Sequence, residues 1–229
     1  MCRAGHFDTL FGETMSQALE PKTVAKKARR GPTREDKVVE RRLSLLEATL
    51  RVIARKGLIG VTMSDIASEA GCAYGVVAFH FKSKEGITLA ALDYMVEEYD
   101  RTLRSTNRDT PEARLKAMID LDFDPKVSDT GRIAVFTAFW AESVRNPEYR
   151  KRCAELKSRY HSAVMSDIAE LADRNKMDLD AALVARSFNA MIDGIWIYTQ
   201  VVGNIDTTGR EMGKAACLLY LRSIFPDDF

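Results

Sequence analysis

The chain has 229 residues, 46% hydrophobic and 29% charged, enough for one large or two modest domains with real cores. Its four cysteines, Cys2, Cys72, Cys153 and Cys217, and its three histidines are scattered, which excludes an argument for a disulfide framework or a zinc site. The net charge of +1 hides a division: Lys22, Lys26, Lys27, Arg29, Arg30 and Arg34 lie in a stretch without an acid, and subtracting those six leaves −5 for the remainder.

Residues 1–32 are small, polar and basic without periodicity, and are expected to form a disordered basic arm. Met15 offers a second start within it. The opening MCRAGHFDTLFGETM lacks the basic-then-apolar order of a secretion signal. Free thiols and the missing signal predict a cytoplasmic protein. Thr33 to Asp36 reads as a capping box, followed by a helix whose core stripe is Leu43, Leu46, Leu50 and Ile53 and which ends at Gly57.

Residues 62–86, TMSDIASEAGCAYGVVAFHFKSKEG, are the most informative. Thr62 to Asp65 is a second capping box, and Met63, Ile66, Ala67 and Ala70 fall on one helical face. Gly71 suits the left-handed residue that closes a helix. A second short helix spans Tyr74 to Phe79, and Ser83-Lys84 starts a third. Helix, glycine turn, helix is a common way to present a recognition helix to the DNA major groove.

From Ile87 through Leu89, Leu92, Met95, Val96 and Tyr99 the pattern sustains a long connecting helix to about Leu103. Thr110-Pro111-Glu112 and Asn146-Pro147-Glu148 each combine a cap, a first-turn proline and an acid near the positive helix end. Thr208 to Glu211 reads as another capping box, and Pro226 follows the last helix. Long helices are expected at about 131–145, 148–173 and 179–202. The longest apolar stretch, 188–202, contains Asp193 and is too short to span a bilayer. The prediction is an all-α protein: a basic arm (1–32), a three-helix helix-turn-helix bundle (33–83), and a larger helical bundle (84–229).

These residues resemble the TetR family of one-component bacterial regulators. The resemblance rests on Thr62, Ile66-Ala67, Ala70-Gly71, Gly75, Phe81 and Lys84 at the family spacing. The C-terminal half is similar to one branch, the choline-responsive BetI repressors, through FDP (123–125), AFWAESVRNPEYRKR (138–152) and IDGIW (192–196). The resemblance implies that Thr62 gives its hydroxyl or backbone N–H to a phosphate, that His80 touches the DNA backbone, and that Lys84 meets phosphate at a helix N-terminus. It implies base reading by Tyr74, Gly75, Val76, Ala78 and Phe79. Ala73 and Ala78 depart from the frequent serine and tyrosine, leaving an apolar recognition helix suited to thymine methyls and DNA shape. Each residue also has a plainer role: Thr62 as a cap, Lys84 as a surface charge.

In the second half, Phe136, Phe139 and Trp140 occupy neighbouring helical positions, while Trp196 and Tyr198 share another helix with Asp193 one turn earlier. Aromatic faces and a carboxylate make a receptor for a cation that donates no hydrogen bonds. Choline or a related quaternary ammonium compound is therefore the expected effector, as the resemblance also implies. Aromatic stripes at helical spacing equally serve as core or as a dimer seam. Asp193 in an apolar helix must be paired or hydrogen-bonded, for example by an arginine such as Arg186 or Arg145. No phosphate loop, nucleophile elbow or His-Glu-x-x-His is present, so no enzyme, cofactor or metal is expected. The resemblance further implies a homodimer on a palindromic double-stranded operator. The alternatives are a repressor answering an acyl or amphipathic molecule, and a ligand-free architectural DNA binder.

Overall fold

The computed structural model of the protein describes residues 33–105, 108–203 and 206–229; the basic arm lies outside them. Among the described residues there are nine helices and no strand. Helix α1 (Arg34–Gly60) starts from the expected reciprocal cap. The Asp36 N–H donates to Thr33 Oγ1 at 3.1 Å, and the Thr33 N–H donates to the Asp36 carboxylate at 2.8 Å. At Gly57, φ is +68°, a left-handed conformation that breaks the regular helix before one more turn to Gly60. Leu46 and Ile53 are buried as expected, but Leu43 is 40% exposed. Residues 33–43 are exposed along their whole length, ahead of the part of α1 that packs on its neighbours.

Helices α2 (Met63–Glu69) and α3 (Tyr74–His80) form the helix-turn-helix. Gly71 takes φ +61°, and the Cys72 N–H reaches back to the Ala67 carbonyl at 2.9 Å, closing α2. Ion pairs of Arg51 and Arg55 with Glu69, and of Lys56 with Asp65, tie α2 to α1. They are exposed to solvent, so each adds little to stability. The connecting helix α4 (Lys84–Ser105) leads into α5 (Pro111–Asp122), α6 (Thr130–Ser143), α7 (Pro147–Arg174), α8 (Ala181–Val202) and α9 (Thr207–Ile224).

Thr110 and Asn146 cap α5 and α7 with their side-chain oxygens, each ahead of a first-turn proline. The expected cap at Thr208 is corrected. Asp206 is the N-cap of α9, its carboxylate accepting the Gly209 N–H at 2.8 Å. An aspartate meets the positive helix end with a full charge, which a threonine hydroxyl lacks, so the helix begins two residues earlier.

Two cores result. The first joins Leu45, Val52, Ile53, Ile66, Val77 and Phe81 of the helix-turn-helix bundle to Ile87, Leu92 and Met95 of α4 and to Val135 and Phe139 of α6. The second holds Leu115, Ile119, Ile133, Val164, Ile168, Phe188, Trp196 and Leu221. Helix α6 contributes to both. Val135 and Phe139 face the DNA-binding bundle, while Phe136 and Trp140 lie against the second core as well. Helix α6 thus spans the two cores and packs on α1.

Candidate nucleic-acid interface and ligand cavity

On the recognition helix, Tyr74 and Phe79 are 56% and 80% exposed, Val76, Ala78 and His80 are half-buried, and Val77 faces the core. Val77 packs into the core of the bundle, whereas the exposed Tyr74 and Phe79 rings leave an apolar face in solvent. Gly75 stands in open space. A Cβ there meets nothing in the free protein, so any need for glycine comes from close approach to a ligand such as DNA. His80 stacks edge-on with Phe79 at 5.3 Å. Arg42 was not anticipated: its guanidinium lies 4.2 Å from the Phe81 ring centroid and donates to the His80 carbonyl at 3.3 Å. It thus fixes the negative end of α3 against α1.

Thr62 and Lys84 are both already engaged. The Thr62 N–H donates to Asp65, and Thr62 Oγ1 accepts from the Asp65 N–H, each at 3.1 Å. The backbone N–H expected to meet phosphate is thus used within the cap, and the exposed hydroxyl keeps only its proton to offer. Lys84 Nζ donates to the Ile59 carbonyl at 2.8 Å, holding the end of α1 beside the start of α4. An ammonium has three donors, so two remain for an anion.

A cavity of about 270 Å³ opens between α4, α5, α6, α7 and α8. Of the candidate ligand residues, Phe136, Trp140 and Trp196 line it, with ring centroids 6.0 Å apart for Phe136–Trp140 and 5.8 Å for Phe136–Trp196. Phe139 does not. It is fully buried in the first core, edge-on to Tyr149 at 5.4 Å, because on the helix it points about 60° from Phe136 and about 100° from Trp140, off their common face. Tyr198 is 66% exposed and lies away from the cavity.

The charged group at the bottom of the cavity is Asp122, which sequence reasoning missed. It is 2% exposed. Tyr99 Oη donates to one carboxylate oxygen at 2.9 Å and Tyr160 Oη to the other, so α4, α5 and α7 converge on one side chain. Burial pushes the Asp122 carboxyl up to about 7, against the hydrogen bonds from the two tyrosines and the attraction of Lys157, which favour the charged form. Burial, and then the nearby Asp122 charge, drive both phenols well above their usual range. Trp196 Nε1 donates to the Asp122 carbonyl at 3.1 Å, locking the indole at the cavity wall. One signal was available: Asp122 shares a helical face with Leu115, Met118 and Ile119, and a carboxylate on an apolar stripe demands an explanation.

Asp193 is also relocated by the structure. Its partner is neither Arg186 nor Arg145 but Lys157, whose ammonium donates to both carboxylate oxygens. Burial raises the Asp193 carboxyl and Lys157 opposes that rise. The same ammonium lies 4.4 Å from the Trp140 ring centroid, a cation–π contact inside the chain. Arg159 and Arg104 share Asp100 at the cavity mouth, at 3.1 Å and 3.8 Å.

Residues 45–91 match the bacterial regulatory proteins of the tetR family, and residues 111–226 match the C-terminal domain of BetI-type transcriptional repressors. The HTH-type transcriptional regulator BetI of Stenotrophomonas maltophilia is 31% identical over 166 residues, covering 71% of this chain and 83% of that protein. Among solved structures, a putative transcriptional regulator from Saccharomonospora viridis in complex with choline superposes with a TM-score of 0.70 at 27% identity. The match covers 80% of this chain and 96% of that one. The FadR regulator of Bacillus subtilis in complex with stearoyl-CoA shares the fold, with a TM-score of 0.66 at 21% identity over 78% of this chain and 96% of that one.

The chain is a DNA-binding transcriptional regulator with an N-terminal helix-turn-helix domain and a C-terminal helical domain. It belongs to the TetR family, with a C-terminal domain of the BetI type. No described helix is long and apolar enough to cross a membrane.

Proposed function

We propose that the protein is a repressor that binds a palindromic operator as a homodimer and is released by a quaternary ammonium compound of the choline type. The observation that carries this reading is the buried Asp122 carboxylate facing a cavity walled by Trp140, Trp196, Phe136, Tyr99 and Tyr160. A quaternary ammonium group donates no hydrogen bond. Ring faces and one full negative charge are what attract it, at about 0.5–2 kcal/mol per ring. The choline complex of the Saccharomonospora viridis regulator supports the same ligand class. Base contacts fall to Tyr74, Gly75, Val76, Ala78 and Phe79, with Thr62, His80 and Lys84 on phosphates.

Dimerisation is assigned to α8 and α9. Leu183, Ile197, Tyr198 and Val201 of α8, with Met212 and Leu219 of α9, are 41% to 80% exposed and apolar. Such a face on consecutive helices is suited to a second copy. Signalling runs through α4 and α6, which carry cavity residues on one face and helix-turn-helix core residues on another. A ligand drawing on Phe136 and Trp140 moves Val135 and Phe139 against α1 and changes the spacing of the two recognition helices. Its effect on operator affinity is limited to its differential affinity for the two states, about 1–3 kcal/mol.

An acyl effector is the rival. Leu92, Val96, Met118 and Leu156 give the cavity apolar walls, and Arg104 and Arg159 stand at its mouth. Against it, an acyl chain offers the buried Asp122 carboxyl no cationic partner once it ionises above about pH 7. Titration of Trp140 and Trp196 fluorescence with choline and, separately, an acyl-CoA, with operator binding followed in parallel, tests both. Choline should quench or shift the emission and weaken operator binding. A response to the acyl-CoA alone would overturn the effector assignment and leave the repressor in place.

A further inference from the structure

One wall of the cavity carries a cation of the chain's own. Lys157 on α7 reaches across to Trp140 on α6, with Nζ 4.4 Å from the ring centroid, and to both carboxylate oxygens of Asp193 on α8. Trp140 stacks on Phe136 on its own helix, and Phe136 in turn meets Trp196. A tryptophan face offers its strongest attraction at one place, over the ring, and two like charges do not share it. The ammonium therefore stands where an effector's ammonium group gains most from Trp140. We propose that Lys157 is a resident competitor: it holds the Trp140 face until an effector displaces it, and so sets the concentration at which the regulator responds. This inference rests on the quaternary ammonium effector proposed above.

The geometry provides for displacement as well as occupancy. The Lys157 side chain is 42% exposed and that of Asp193 28%, so the pair lies at the cavity edge with water within reach. A lysine stem has several rotatable bonds, and its ammonium can swing off the ring while keeping Asp193 as partner. Asp193 then acts as a tether for the displaced cation, and Asp122 remains as the counter-ion for the effector. Competition also explains why a second carboxylate stands so near Asp122. Without Lys157 the Asp193 carboxylate beside the cavity would stand unpaired, and its charge would add to that of Asp122 in attracting any small cation.

Helix α6 packs on the DNA-binding bundle and α8 carries the proposed dimer face, so Lys157 joins, through its two contacts, the two helices whose relative position decides operator spacing. Exchanging the resident ammonium for an external one loosens the tie between α6 and α7 and leaves that between α7 and α8. The switch is then an exchange of one cation for another on the same ring.

The test compares three proteins: the parent, Lys157→Met, and the double variant Lys157→Met, Asp193→Asn. Methionine keeps the length and apolar volume of the lysine stem without its charge. The probes are tetramethylammonium and choline, followed by tryptophan fluorescence, with circular dichroism to establish that each variant is folded. Displacement predicts that both variants bind tetramethylammonium about tenfold more tightly than the parent. The double variant carries the argument, because it removes one positive and one negative charge and leaves the net charge of the site unchanged. If only the single variant gains affinity, the unpaired Asp193 accounts for it and the competitor role is overturned. A folded double variant that binds within twofold of the parent, or more weakly, overturns it as well. If neither probe binds the parent or either variant, the effector reading fails, and this inference falls with it.

Discussion

Replacing Asp122 by Asn should make the protein more stable and less responsive, in a pH-dependent way. In the folded protein this carboxyl is pushed from its usual 3.8 up to about 7, chiefly by burial. Below pH 3.8 it is protonated in folded and unfolded chains alike and costs nothing. As pH rises toward 7 the unfolded chain gives up the proton and the folded one keeps it, so stability falls by about 1.4 kcal/mol per pH unit. Above pH 7 both states are charged and the loss is complete, at about 4 kcal/mol in all. Asparagine never ionises. Its amide accepts from one tyrosine hydroxyl and donates to the other, at a cost of about 1 kcal/mol for the imperfect match.

The assay is urea unfolding of parent and Asp122→Asn at fixed protomer concentration, since the stability of a dimer depends on it. Taking the difference between the two proteins cancels every titration they share. That difference should shift in favour of the variant by about 3 kcal/mol between pH 5 and pH 8. A pH-independent difference would refute the assignment of a strained, buried carboxyl. The functional counterpart is choline affinity. A quaternary cation needs Asp122 charged, so the parent's affinity should rise almost tenfold per unit well below pH 7 and level off above it. The Asn variant should bind weakly at every pH. Gain of stability with loss of binding is the signature of a group kept for its function.

Lys84→Ala should weaken binding to all DNA sequences and lower the salt slope by about one per subunit, whereas Tyr74→Ala should alter which sites are bound; footprinting and binding across a salt series separate the two. Lys84→Ala also removes the bond to the Ile59 carbonyl, so a loss of about 1 kcal/mol in unfolding free energy should accompany it. Gly213→Ala should destabilise the chain by roughly 1–3 kcal/mol in urea melts, because a Cβ there would enter the Phe123 ring where α9 closes on the end of α5. Val201→Glu, at a position 80% exposed in one chain, should leave the monomer fold intact by circular dichroism. It should also shift sedimentation toward monomer, and a variant that stays dimeric would move the interface away from α8.

Most of the helical framework was legible because it depends on groups a few residues apart. Thr33 with Asp36, and Thr62 with Asp65, cap their helices as the sequence says, since both partners of each bond lie within one turn. Gly71 closes α2 for the same local reason. Where two local signals competed, at Asp206 and Thr208, the charged acceptor won. Leu43 shows the limit of periodicity, which tells which face is apolar but not how far along the helix a neighbour extends.

The recognition helix is likewise determined by the sequence alone, because its exposed face is what remains once Val77 is turned inward. The ligand cavity was only half determined. Phe136, Trp140 and Trp196 stood out as large rings at helical spacing, yet nothing local distinguishes them from Phe139, which the tertiary structure sends into the other core. The charges were beyond reach. Asp122 meets Tyr99 and Tyr160 from two other helices, and Lys157 finds Asp193 on α8 and Trp140 on α6. Such pairings follow from how five helices pack, and an isolated carboxylate carries no mark of the partner it will meet. The chain's own residues determined a helix-turn-helix regulator, while tertiary packing decided which carboxylate faces the cavity and which ammonium stands at its edge.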